Sequence, residues 1–145
     1  MLIGQYKSKL TDKDRISVPK KIREELGDDL VLARWYENCL ILVSKEGWEN
    51  LLERLTGGKG LITSPVRDID RFILASGFEV ELDSQGRFVL PELLKEHASI
   101  EVEAVFLALG DRVEIWSADK WFEQEQNIQL KADEAIEKIE KRKQK

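Results

Sequence analysis

One cysteine, one histidine, one methionine and three prolines are all that this chain of 145 residues holds of those four types, and each scarcity removes a class of protein. The lone Cys39 leaves no intrachain disulfide and no Cys-x-x-Cys knuckle, which suits a reducing compartment. With His97 the only histidine there is no His-Glu-x-x-His pair, and no glycine-rich stretch has the spacing of a phosphate loop. No run of about 18 apolar residues is present to cross a bilayer, and no charged-then-apolar leader opens the chain. The reading is therefore a cytoplasmic protein without membrane span or secretory signal. Positive charge is short too: 23 Lys and Arg face 28 Asp and Glu, for a formal net charge of -5. A nucleic-acid binder with that balance has to gather its cations on one surface.

The three prolines show where to look. Pro19 and Pro91 each follow a short apolar stretch that begins with an arginine, and each precedes a polar-apolar run of helical spacing. Proline lacks an amide hydrogen and fixes φ near the value of a first helical residue, so both mark a change from strand to helix. The two settings are copies, 72 positions apart: Leu10 matches Leu82, Arg15 matches Arg87, and apolar Ile16 and Val18 match Phe88 and Leu90. Polar turns precede both arginines, at residues 11–14 and 84–86. A duplicated cassette of turn, arginine, strand and helix is thus the chain's organising unit.

In chain order, residues 3–10 read as a strand, with residues 16–18 returning antiparallel beside it. A helix over residues 20–26 buries Ile22 and Leu26 and stops at Gly27. Residues 30–35 and 39–43 read as a hairpin of buried strands around Tyr36 to Asn38. Ser44 caps a helix through Leu55 with Trp48, Leu51, Leu52 and Leu55 on one face, ended by residues 56–60. Ser64 and Pro65, the third proline, open a helix with Ile69, Phe72 and Ile73 on one side, closed by Gly77. Alternation over residues 78–82 reads as a half-buried strand leading into the second cassette. A second strand pair follows over residues 105–109 and 113–116, and Ser117 caps a last helix in which Trp121 matches Trp48. Residues 127–145 carry Glu134 with Lys138 and Glu137 with Lys141 at helical spacing, over a thin stripe of Ala132, Ala135, Ile136 and Ile139. The segment reads as a solvated helix, with contact to a neighbouring subunit as the second reading.

These residues resemble the MraZ family, whose halves are each related to the AbrB-type swapped-hairpin DNA-binding module. The resemblance rests on Met1 to Gly4, both arginine-to-proline cassettes, Arg71 and Phe72 before Ser76 and Gly77, and the tryptophan-bearing segments that close each half. The family's Asp-x-x-x-Arg motif stands intact as Asp83 and Arg87. In the first copy Thr11 replaces its aspartate and Asp14 its usual glycine, with Asp12 as a carboxylate one residue late. The resemblance implies an α+β fold, a duplicated swapped-hairpin AbrB-like β-barrel with short helices and a C-terminal helix. Its parts are a first half over 1–55, a connecting loop and helix over 56–77, a second half over 78–126, and a charged C-terminal helix over 127–145. It further implies a sequence-specific transcriptional regulator of the division and cell-wall gene cluster, nucleoid-associated, that binds repeats in double-stranded promoter DNA as a ring homo-oligomer. The alternative is a non-DNA interaction or scaffold module; a barrel enzyme comes third.

Local charge separates the two copies. Residues 7–23 hold seven cations against Asp12 and Asp14, a net of +5, whereas residues 79–95 hold Arg87 and Lys95 against Glu79, Glu81, Asp83 and Glu92, a net of -2. The first cassette is therefore the DNA-facing one on this reading. Arg15 is the candidate for a guanine edge, and Lys13, Lys20 and Lys21, with Lys7 and Lys9, are the surrounding cations. Asp83 and Arg87 are the structural motif of the second half. No cofactor, metal site or catalytic residue is expected: His97 reads as a capping or surface residue, and no nucleophile has a base at usable spacing. The tryptophans read as core residues rather than as a stacking platform for single strands.

Overall fold

Along the first strand Leu2, Tyr6 and Leu10 turn inward while Ile3, Gln5, Lys7 and Lys9 stay exposed, the period-two pattern of a strand with one covered face. In this computed structural model, which describes residues 1–57 and 64–143, that strand is β1 (Ile3–Lys9). It is followed by β2 (Arg15–Ser17), α1 (Lys20–Leu26), β3 (Leu30–Arg34), β4 (Leu40–Ser44), α2 (Lys45–Thr56) and α3 (Ser64–Phe72). The second half supplies β5 (Phe78–Val80), β6 (Arg87–Val89), α4 (Glu92–Ala98), β7 (Glu103–Leu109), β8 (Val113–Ser117) and α5 (Ala118–Lys143). The class is α+β, with every ladder antiparallel.

Six strands form one sheet in the order β1-β7-β8-β4-β3-β5, and β2 and β6 form a separate two-stranded ribbon. One face of the sheet packs on the ribbon. Ile16, Val18, Phe88 and Leu90 from the cassettes join Leu30, Leu32, Leu40, Leu42, Phe106 and Ile115 in a single apolar cluster, with Ile22 of α1 and Leu94 of α4 closing its ends. On the other face Val31, Ala33, Ile41, Val43, Val105, Leu107 and Trp116 are covered by Leu51 with partly buried Trp48 and Leu55 of α2, Ile69 and Phe72 of α3, and Trp121 of α5. Trp48 and Trp121 thus serve as core residues, as their spacing indicated. A sheet buried on both faces explains why β3 and β4 read as unbroken apolar runs.

The residues that start and stop these elements do so for local reasons. Ser44 Oγ accepts the Gly47 N–H at 3.0 Å, capping α2. Gly57 ends that helix in the left-handed conformation; the remainder of the loop over 58–60 lies outside the described residues. At the end of α3, Arg34 donates from Nε to the Phe72 carbonyl at 2.8 Å and from Nη2 to the Arg71 carbonyl at 3.1 Å, and its guanidinium lies over the Phe72 ring. A cation on free helix carbonyls is favourably placed, and here it ties α3 to β3.

One expectation needs correcting. Residues 16–18 do not return beside residues 3–10: β1 pairs with β7, and β2 pairs with β6. The turn does close locally, with Thr11 N–H on the Arg15 carbonyl at 2.9 Å, but β1 and β2 form no ladder, and the Ser8 hydroxyl donates to the Ser17 carbonyl at 2.9 Å. Pairing β2 with its own counterpart satisfies the backbone of both short strands and sets Ile16 and Phe88 over a common core, which neither half offers alone. The last helix is continuous from Ala118 to Lys143, so the segment after Ser117 and the charged end are one element of 26 residues.

Candidate nucleic-acid interface

The ribbon carries the local twofold of the duplication. Ile16 pairs with Phe88, its own equivalent, and the ladder continues past both strands through Leu90 N–H to the Asp14 carbonyl at 2.7 Å and Val18 N–H to the Gly86 carbonyl at 2.9 Å. With Ile16 and Phe88 turned inward, the outward face presents Arg15, Ser17, Arg87 and Val89. Arg15 stands opposite Val89 and Arg87 opposite Ser17. The two arginines are therefore diagonal neighbours, about 7–8 Å apart along the ribbon.

Asp83 holds Arg87. Its Oδ1 accepts the backbone N–H groups of Gln85 and Arg87 at 2.9 and 3.0 Å, and its Oδ2 accepts from Arg87 Nε at 3.0 Å. The Arg87 backbone N–H above all, then that of Gln85 and the guanidinium, keep the Asp83 carboxyl below its ordinary value. Thr11 reproduces only half of this. Its Oγ1 accepts the Arg15 N–H at 3.1 Å, but a hydroxyl has no second oxygen for a guanidinium. Asp12 does not substitute, since among the described residues neither it nor the Arg15 side chain makes a hydrogen bond or ion pair. The departure of the first cassette thus leaves Arg15 uncommitted on the outward face, while Arg87 is built into its turn.

The neighbouring turn position shows a second exchange. Gly86 has a φ of 77°, and a Cβ there would collide with the Arg23 guanidinium, whose Nε donates to the Val18 carbonyl at 3.1 Å. In the first cassette Asp14 occupies the equivalent place with a φ of 58°, and the counterpart of Arg23 is Lys95, which donates from Nζ to Asp14 Oδ1 at 2.9 Å. One turn packs an arginine over a glycine; the other pairs a lysine with an aspartate. Sequence reading noted Asp14 but missed Lys95, although the 72-position offset sets Lys95 against Arg23 and Asp14 against Gly86.

The other sequence candidates divide by position. Lys13 lies exposed in the turn before Arg15, and Lys20 and Lys21 are exposed in the first turn of α1, directly after the ribbon. Lys7 and Lys9 belong elsewhere: they pair with Val105 and Glu103 on the opposite face of the sheet, where Lys7 borders a groove along α5 with Glu103, Asp119 and Glu125. His97 is half-buried, its Nε2 3.2 Å from the Trp35 carbonyl and its ring edge-on to Phe72. It serves packing between α4, β3 and α3.

Two halves that exchange strands about a local twofold, with a cassette ribbon outside and helices around the sheet, define an AbrB-like swapped-hairpin protein. The family model described as "MraZ protein", with "antitoxin-like" in its description, matches twice, over residues 1–72 and 73–144. The chain is 39% identical to the transcriptional regulator MraZ of Caldanaerobacter subterraneus subsp. tengcongensis over 140 residues, 97% of each chain. It is 39% identical to that of Thermoanaerobacter sp. over the same length, and 36% identical to that of Syntrophomonas wolfei over 139 residues, 96% of each chain. The chain belongs to the MraZ family of transcriptional regulators. No described helix is long and apolar enough to cross a membrane.

Proposed function

We propose that this regulator binds double-stranded DNA at promoter repeats through the outward face of the β2–β6 ribbon, reading base edges with Arg15 and contacting phosphates with Lys13, Lys20 and Lys21. The observation that carries the reading is the uncommitted Arg15 guanidinium beside exposed lysines, on a two-stranded ribbon of a width that the major groove admits. Arg87, fastened to Asp83, keeps the second turn in shape. Lys7 and Lys9, on the far face of β1, are the outlying members of the basic set. The sheet ends in two edges, β1 and β5, and a chain with two unlike faces joins head to tail into a closed ring when the rotation permits. Ring assembly sets several ribbons in register with spaced repeats, so binding is multivalent and single repeats bind poorly. Its target on this reading is the division and cell-wall gene cluster, and its place the cytoplasm, at the nucleoid.

The test is a footprint on the DNA upstream of the chain's own gene, with affinity followed against salt. Evenly spaced protected repeats and a steep salt slope, about -0.9 per phosphate contact, are expected. A flat footprint, with no retention on heparin, selects instead a scaffold or antidote-type interaction module. The net charge of -5 and the description "antitoxin-like" favour that second reading.

A further inference from the structure

Asp14 is, with Asp12, one of two residues in 7–23 whose charge opposes their role, and it is the one next to Arg15. It directly precedes Arg15, in a left-handed turn position where the second cassette has Gly86, so its carboxylate lies at the end of the ribbon assigned to DNA. Unpaired, it would repel the same phosphates that Lys13 and Arg15 attract. Two groups of the second half bind it instead: Leu90 N–H donates to its carbonyl at 2.7 Å, and Lys95 Nζ donates to its Oδ1 at 2.9 Å. Lys95 is half-buried, and Glu92, Glu96 and Glu101 border the same patch of α4. Without Lys95 that flank would be wholly acidic where it meets the first turn. The pairing also raises the Lys95 pKa, chiefly through the hydrogen bond to Asp14, so the ammonium stays charged.

We propose that Lys95 of the second half is a positioning residue for DNA recognition by the first half, neutralising and fixing Asp14 so that the turn presents Arg15 beside a compensated rather than a bare carboxylate. This rests on the DNA-binding reading above. It assigns the second half a part in recognition that its own acidic charge conceals. It also gives a reason for the paired exchange of Gly86 with Arg23 for Asp14 with Lys95: the carboxylate directly before the reading arginine comes with a cation from the opposite half.

The experiment uses the full chain and three variants, Lys95→Met, Asp14→Gly and the double variant. Each is titrated against a fluorescent duplex carrying the upstream repeats and a scrambled duplex, with oligomer size by light scattering alongside. Lys95→Met should lose about tenfold in affinity for the repeats, with a salt slope shallower by about one per engaged cassette, while its oligomer is unchanged. The double variant should return to within about threefold of the parent, because no carboxylate is left to neutralise. Repeat binding by Lys95→Met equal to the parent overturns the proposal. So does a loss that the double variant fails to restore, which would make Lys95 a packing residue only. If the unaltered chain distinguishes neither duplex, it is the DNA-binding reading itself that fails.

Discussion

Arg15 and Arg87 are equivalent by duplication and unlike in circumstance. Since only Arg87 is held by a carboxylate, Arg15→Ala should abolish discrimination between repeat and scrambled duplexes, a loss of about 1–3 kcal/mol per site, and leave light scattering unchanged. Arg87→Ala should instead lower the melting temperature or, if the proposed ring forms, disperse it; the reverse outcome would mean that the roles of the two arginines are exchanged. Asp83 adds a pH dependence of definite sign. Its folded pKa lies below the unfolded value, so its contribution is present above the ordinary carboxylate pKa of about 4 and is lost as pH falls through the folded one. The stability difference between the parent and Asp83→Asn, from urea melts, should therefore be full at pH 7 and shrink below pH ~4. Cys39 tests burial in another way. Fully buried, with its thiol toward the Tyr36 carbonyl, it is pushed far above the ordinary thiol pKa by desolvation and by nearby Glu114 and Glu37. It should resist thiol reagents at pH 8 in the native protein and react on unfolding.

At the scale of elements, caps and turns control more than propensity. Ser44 is the side-chain cap of α2, whose Trp48 and Leu51 cover the outer face of the sheet, so Ser44→Ala should cost about 1 kcal/mol in denaturant melts without altering assembly. α5 is a different case. It is tied to the sheet at its start, where Trp121 Nε1 donates to Gln5 Oε1 at 3.3 Å and Gln5 Nε2 donates to Glu125 Oε2 at 2.8 Å. Farther along, Leu130, Ile136 and Ile139 are exposed and no residue of the helix is buried.

For the whole molecule, the exchange of strands makes each half incomplete. β1 needs β7, β2 needs β6, and β5 needs β3, so no cassette satisfies its backbone within its own half. Residues 1–72 expressed alone should be either unfolded by circular dichroism or paired with a second copy of themselves by light scattering. A folded monomer would contradict the interleaving. The same dependence argues for one cooperative unfolding transition of the full chain rather than two.

How much of this was legible beforehand differs by level. The duplication, the strand-to-helix switches at Pro19 and Pro91, the hairpin of β3 and β4, the Ser44 cap and the core tryptophans follow from residues near one another in the chain. There periodicity, fixed φ and local hydrogen bonds leave little choice. The local charge of the first cassette was visible as well, and with it Lys13, Arg15, Lys20 and Lys21. What the sequence could not supply was partnership across 72 positions. Periodicity says that a strand is half-buried but not which strand completes its ladder, and so β2 was assigned to the wrong neighbour. Nor does it tell which face of β1 the ribbon covers, which separated Lys7 and Lys9 from Arg15, or that Lys95 reaches Asp14. Those outcomes depend on which apolar surfaces bury each other best once both halves are present, a long-range packing energy that no local pattern encodes.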